Sequence, residues 1–211
     1  MIKPLGRFED RQAFVDSWNA QASLEPSFGR LNSHYTRLEN RPSGFNHLGR
    51  FYFGDIIELK DFPDTGYSTL LTKGMSGFVL QAPADCKDKL GIELAWTLKS
   101  ECISTPAVEA LAALADTFIA RRVGPHHNEV VEFDFSSIPQ QTGLTAFLAS
   151  HEYWFTDGLE KIPGPVATYI FELFALRASE ARLAAKDIDE FSDLMQASEI
   201  EPEDLSRQAG L

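Results

Sequence analysis

Two adjacent histidines, His126 and His127, are the residues of this sequence that most resemble part of a metal site. Imidazole is a common zinc ligand, and Glu129 or His151 would supply the acid or third ligand of a metal-dependent hydrolase. Zinc sites usually draw on three or four converging ligands, whereas neighbouring residues of an extended loop point apart. The favoured interpretation is therefore a surface turn, with the metal-dependent hydrolase as the alternative.

The segment "TKGMSG", residues 72–77, combines a lysine with small residues as phosphate loops do. It lacks the glycine-rich run and the Lys-Ser/Thr pair with which such loops hold phosphate. We expect Gly74 to turn the strand end with a positive φ, Met75 to fill a gap in the core, and Thr72 to make a local hydrogen bond. The segment therefore predicts a structural turn.

The acids Glu129, Glu132 and Asp134 are spaced closely enough to suggest acid-base catalysis. They alternate with apolar residues, however, and alternation places Glu132 and Asp134 on the solvent face of a strand. The chain also lacks the G-x-S-x-G, H-E-x-x-H and catalytic-cysteine signatures. The sequence thus predicts no catalytic residue, no metal and no cofactor.

Charge restricts the class of partner. The chain carries 31 acidic and 19 basic residues, a net charge of −12. Residues 1–50 hold seven bases and five acids, whereas the remainder holds 12 bases and 26 acids, eight of them between residues 186 and 205. Such a chain repels nucleic acid and attracts basic proteins.

The 211 residues fit one domain, and no stretch has the length and apolar character of a membrane span. The N-terminus has acidic residues where a signal peptide would be apolar. We therefore expect a soluble cytoplasmic protein without membrane association. Its two cysteines, Cys86 and Cys102, are expected to be reduced thiols.

Hydrophobic periodicity indicates an α+β domain with a mixed, largely antiparallel sheet flanked by helices. Residues 7–22 and 105–122 have helical stripes, with Thr105 as the expected cap, and Asp187 with Glu190 should cap a short helix. Residues 23–49 read as an irregular connection before strands that form a hairpin around the turn at residues 63–66. Further strands are predicted at residues 90–98, 129–135, 145–155 and 166–177.

The central strands carry a family resemblance. The order "LTKGM", loop, "GIELAWTL" resembles the suppressor of fused domain family, in which a strand and turn lead to an "LvT-x-GM" segment and then to a strand built on "E-L". A second similarity lies in "YIFELFALRASEARLA", a strand followed by a glutamate-led helix. The matching positions are Leu71, Thr72, Gly74, Met75, Glu93, Leu94 and Glu180.

The resemblance implies a mixed sheet flanked by helices and a protein that binds proteins without catalysis. Animal members of the family resemble inhibitory partners of a zinc-finger transcription factor, and single-domain bacterial members resemble immunity proteins that neutralise polymorphic toxins. We accordingly expect one domain over residues 1–211. It would comprise an N-terminal helix and connection (1–44), a family-like core (45–195) and an acidic tail that frays (196–211).

Both kinds of partner stay open, a basic toxin such as a nuclease and a transcriptional regulator. A tight interface needs an aromatic anchor, for which Tyr153 or Trp154 is the candidate, because both cannot face inward on one regular strand. Charge steering would come from the acids near the C-terminus. These candidates are Asp187, Asp189, Glu190 and Asp193.

Overall fold

The computed structural model describes residues 45–51, 54–77, 80–81, 89–138, 143–150, 161–162, 167–198 and 200–207. The helix predicted over residues 7–22, Cys86, and residues 151–160 with Tyr153 and Trp154 lie outside these ranges. Among the described helices, none has the length and apolar character needed to cross a membrane.

A nine-stranded sheet forms the centre of the fold. Seven strands lie side by side in the order β1-β2-β3-β5-β9-β7-β6, while β4 pairs with β5 and β8 with β9. Their bounds are β1 Phe45–Phe51, β2 Gly54–Lys60, β3 Tyr67–Lys73, β4 Leu80–Gln81, β5 Lys89–Lys99, β6 Glu129–Glu132, β7 Leu144–Ser150, β8 Lys161–Ile162 and β9 Ala167–Arg177.

In the described part of the chain three helices cover this sheet: α1 Thr105–Arg121, α2 Ala178–Lys186 and α3 Ile188–Ala197. The described strands pair antiparallel except for β5 and β9, which run parallel from Leu90↔Ala167 to Ala95↔Glu172. A parallel pair needs a long crossover, and the chain between β5 and β9 contains α1. The predicted α+β class, with a mixed and largely antiparallel sheet flanked by helices, is confirmed.

The predicted hairpin is β2 and β3, joined at residues 61–66 and paired from Asp55↔Lys73 to Lys60↔Ser68. The expected irregular connection was wrong at its end, because residues 45–49 belong to β1 and pair with β2. Its serine, asparagine and glycine content obscured this strand. An edge strand needs backbone partners more than a regular hydrophobic pattern.

Helix α1 packs against one face of the sheet. Its cap is Ser104, whose hydroxyl accepts a bond from the amide of Ala107, so the prediction of Thr105 as cap was wrong by one position. The helix buries a stripe that includes Leu111 and Phe118. It also approaches β1 so closely that a Cβ at Gly49 would overlap Val108.

An aromatic cluster extends the core beneath α1. The rings of Trp96 and Phe147 meet edge to face with centroids 4.9 Å apart, and Phe135 lies 4.8 Å from Phe147. The strand predicted over residues 129–135 ends at Glu132, so its predicted end was wrong, although the alternation of burial continues to Phe135. Phe133 and Phe135, on the inner side of that alternation, join the aromatic cluster.

Helices α2 and α3 cover the opposite face of β7 and β9. Leu148, Phe174 and Leu176 of the strands pack there against Phe191 and Met195 of α3. Beyond α3, residues 200–207 pack onto the domain, and Leu205 is 1% exposed. The expectation of a frayed tail was therefore wrong for these residues, because charged neighbours mask the apolar side chain that anchors them.

We predict that Leu111→Ala lowers the free energy of unfolding by about 2–5 kcal/mol, because it removes buried methyl groups and leaves a cavity beneath α1. Urea denaturation monitored by circular dichroism measures the change. Ala120→Ser, an exposed change on the same helix, should stay within about 0.5 kcal/mol of the wild type. Equal effects of the two substitutions would contradict the packing of α1 described here.

Candidate functional site

The carboxylate of Glu93, 1% exposed on β5, is surrounded by hydrogen-bond donors. Successive backbone amides of Gly74, Met75 and Ser76 donate to it at 3.1, 3.3 and 3.0 Å. The hydroxyls of Thr72 and Ser76 donate at 2.6 and 2.5 Å. The amides of this turn thus bind an anion, and that anion is the carboxylate of Glu93 from the same protein.

Thr72 joins the two halves of this network. While donating to Glu93, its hydroxyl accepts a bond of 2.8 Å from the amide of Leu94, beyond the last ladder pair Leu71↔Ala95. Gly74 has φ of 112°, a region that favours glycine, and Met75 is completely buried. The matching residues of the two central motifs, separated in sequence, therefore form one hydrogen-bonded unit. We call it the Glu93 cradle, residues Thr72, Gly74, Met75, Ser76 and Glu93.

Glu180, at the start of α2, is the second buried carboxylate of the matched positions. It accepts a bond of 2.7 Å from the amide of Arg177 and one of 2.8 Å from the guanidinium of Arg207. The side chain of Glu180 is 1% exposed and that of Arg207 is 8% exposed. Arg207 also donates to the carbonyl oxygens of Ala175, Pro202 and Asp204.

The ion pair between Glu180 and Arg207 connects α2 to residues 200–207. Arg207 had no place in the sequence prediction, because a single base in an acidic tail looks solvated. The one signal of its role was the apolar Leu205 beside it, which requires a buried segment. The C-terminal segment, residues 200–207, is thereby attached to β9 and α2 by a buried guanidinium.

The histidine pair lies in the turn before β6, and both side chains are exposed. Glu129 accepts two bonds of 3.1 Å from Arg121 and one of 2.8 Å from the amide of His126. Its carboxylate therefore fastens this turn to the end of α1. No three His, Cys, Asp or Glu side chains are grouped to hold a metal within the described part of the chain.

The other reactive groups do not converge with these residues. Glu132 and Asp134 are exposed, as the alternating pattern predicts. Cys102 is a free thiol, and burial raises its pKa. A raised pKa leaves less of the nucleophilic thiolate at neutral pH, so this cysteine is a weak nucleophile.

The acids proposed for steering are together on the surface. Asp187 caps α3, accepting a bond of 3.0 Å from the amide of Glu190, as predicted. Asp189, Glu190 and Asp193 follow on the helix, and all four side chains are exposed. Helix α3 contains no basic residue, and Lys186 pairs with Glu190 at 4.0 Å.

A cleft of about 570 Å³ is lined by α3, by the face of β7 and β9 that α3 covers, and by the C-terminal segment. Its apolar floor includes Leu148, Phe174 and Met195. Sequence reasoning did not find this cleft, because its walls come from segments that are distant in sequence and meet only in the folded chain.

Lys99 fixes one wall of the cleft. It pairs with Glu201 at 2.7 Å and Asp204 at 3.0 Å, and these two bonds raise its pKa above the ordinary value. Glu203, between these acids, is 8% exposed, and burial raises the pKa of its carboxyl. Glu201 and Asp204 thus share the ammonium group of Lys99, while Glu203 meets this residue through the backbone, its carbonyl accepting a bond of 3.1 Å from the amide of Lys99.

The sequence model described as suppressor of fused protein matches residues 54–208, well over half of the chain. The chain belongs to the suppressor of fused family. The resemblance seen in its motifs is confirmed. The search among curated proteins found no match.

Solved structures of this family share the fold. A suppressor of fused homolog from Neisseria gonorrhoeae FA 1090 has 16% identity and a TM-score of 0.62, with 87% of this chain and 96% of that chain covered. The structure of the Sufu-Fu complex has 11% identity and a TM-score of 0.61, with 84% of this chain and 88% of that chain covered. The structure of Drosophila suppressor of fused has 11% identity and a TM-score of 0.52, with 79% of this chain and 42% of that chain covered.

We predict that Thr72→Val lowers the free energy of unfolding by about 1–3 kcal/mol, because it removes a donor from Glu93 and leaves the buried amide of Leu94 without its acceptor. Thr72→Ser keeps the hydroxyl and should lose less. Urea denaturation of both variants measures the difference. A valine variant as stable as the serine variant would show that the cradle adds nothing to stability.

We predict that Glu180→Ala lowers the free energy of unfolding by about 3–5 kcal/mol, because it leaves the buried guanidinium of Arg207 without its counter-charge. The matched control is Glu109→Ala, at an exposed position of α1, which should change stability by less than about 0.5 kcal/mol. Thermal unfolding at low salt, without a chemical denaturant, measures the stability of both variants. If the two variants melt together, the C-terminal segment is held by other contacts.

Proposed function

We propose that this protein is a non-catalytic binding domain of the cytoplasm that neutralises a basic polymorphic toxin, such as a nuclease, by tight association. The single observation that carries the proposal is the exposed acidic surface of Asp187, Asp189, Glu190 and Asp193, which α3 presents without a base of its own. A groove that binds nucleic acid is cationic, and this surface is complementary to it.

Two further findings support binding over catalysis. Suppressor of fused domains are known for protein binding, and a solved relative is a Sufu-Fu complex. In this chain the buried carboxylates of Glu93 and Glu180 are engaged in hydrogen bonds that hold the fold. The exposed acids are left to act on a partner through charge.

A regulatory partner is the second candidate, and the observation favouring it is the Sufu-Fu structure itself. At 11% identity that likeness concerns the fold, so the comparison supports a protein partner in general. Acidic steering would serve a basic regulator as well as a toxin. The two candidates differ in what happens when the partner is expressed alone.

Co-expression separates them. If the neighbouring gene encodes a secreted protein with a variable C-terminal domain, that domain should arrest growth when expressed alone. This chain should restore growth and purify with the toxin as a stable complex. Continued arrest, with no complex on size-exclusion chromatography, would overturn the immunity proposal. A complex with a neighbouring regulator that is harmless on its own would favour the second candidate.

We predict that Asp189→Asn/Asp193→Asn slows association with the basic partner and weakens its dependence on salt, because steering by exposed charge is screened over about 8–10 Å at physiological ionic strength. Stopped-flow mixing across salt concentrations measures the rate.

The control is Asp64→Asn/Glu109→Gln, which removes the same charge from exposed positions outside α3. Its rate should stay close to that of the wild type. Identical rates for all three proteins would show that the acids of α3 only keep the protein soluble.

A further inference from the structure

The cleft beneath α3 has an acidic wall and an apolar floor. Asp189, Glu201 and Glu203 line it, and its described lining contains neither lysine nor arginine, with His127 at the rim as its one basic side chain. Phe174 and Phe191 form part of the floor. A cleft lined by apolar groups and carboxylates suits a long cationic side chain, because its methylene stem packs on apolar groups while its charge meets a carboxylate.

Glu203 distinguishes this cleft from the acidic surface of α3. The residue is 8% exposed, and among the described residues its carboxylate forms no ion pair, although Lys99 and Arg207 are near enough to influence it. Lys99 is engaged by Glu201 and Asp204, and Arg207 by Glu180. Burial is the largest cause of the raised pKa of Glu203, and it outweighs the bond from the residue's own amide and the two nearby cations, which lower that pKa.

We propose that this cleft receives an arginine side chain of the bound protein, with the guanidinium paired to Glu203 and the stem on the apolar floor. The proposal rests on the proposed binding function and names the contact that anchors it. Arginine is favoured over lysine because its planar guanidinium stacks on aromatic rings and forks onto a carboxylate. Phe174, Phe191 and Glu203 offer those two features together.

In this arrangement the positive charge of the partner affects both its association and its dissociation. The exposed acids of α3 accelerate the encounter but are screened by water and salt. A charge pair that is desolvated in the cleft slows release instead, since buried charge pairs act mainly on the dissociation rate. Asp189 belongs to both surfaces, so the steering face leads directly to the cleft.

The test uses the tripeptide acetyl-Ala-Arg-Ala-amide and its citrulline counterpart, which keeps the shape without the charge. In an NMR titration, the arginine peptide should cause saturable shifts at the methyl groups of Leu148 and Met195. The citrulline peptide should bind at least about tenfold more weakly, the range expected for a charged hydrogen bond.

Two substitutions locate the contact. Glu203→Gln should reduce binding of the arginine peptide to the citrulline level while leaving the melting temperature unchanged or higher, because it removes an unpaired buried charge. Glu201→Gln removes the same charge from an exposed residue already paired with Lys99 and should have a much smaller effect.

Absent or unsaturable shifts, equal affinity for the two peptides, or unchanged binding by Glu203→Gln would each overturn the proposal. The titration needs no toxin, so its outcome is separate from that of the co-expression experiment. If the arginine peptide binds but no toxin is neutralised, the arginine site is supported and the immunity role is refuted. If a toxin is neutralised but the two peptides bind equally, the immunity role is supported and the arginine site is refuted.

Discussion

A buried carboxylate with five donors is the constraint on which the centre of this fold depends. Glu93 is removed from water on β5, and the turn after β3, together with Thr72 near the end of β3, supplies hydrogen bonds that compensate. The turn must therefore expose three successive amides, which requires the positive φ of Gly74. Thr72 then connects this arrangement to the ladder of β5, so the turn and both strands are fixed together.

The charges of the molecule divide into two groups with different physical roles. Glu93 and Glu180 are buried and hydrogen-bonded, so they act on the fold, and Glu180 attaches the C-terminal segment through Arg207. The acids of α3 are exposed to water. This division places the carboxylates of the family motifs inside the fold and leaves the acids of α3 on its surface.

The sequence predicted the elements with strong periodicity. Helix α1, the β2–β3 hairpin and the strand containing Glu93 all appear, because a continuous apolar stripe or alternation reflects burial directly. The same reasoning failed at β1, which pairs through its backbone, and at residues 133–135, where the alternation of burial continues beyond the end of the strand. It also treated residues 200–207 as solvated, since the charges around Leu205 conceal the contact.

The site was harder to predict than the fold. Spacing in "TKGM" and "IEL" marked the residues of the cradle, but no local pattern tells that amides of one segment bind the carboxylate of another. The cleft depends on contacts between β7, β9, α3 and the C-terminal segment, which are set only by the tertiary fold. Sequence reasoning accordingly found the exposed acids and missed Glu203, the acid whose burial makes it informative.

The most direct test of the account is hydrogen exchange at the amides of Gly74, Met75 and Ser76. Protection measured by NMR in the wild type and in Glu93→Gln reports whether these amides are bound to that carboxylate. We expect them to exchange as slowly as the core amides of β5 in the wild type and much faster in the variant, while α1 stays protected. Rapid exchange in the wild type, or equal protection in the two proteins, would contradict the central role of the Glu93 cradle.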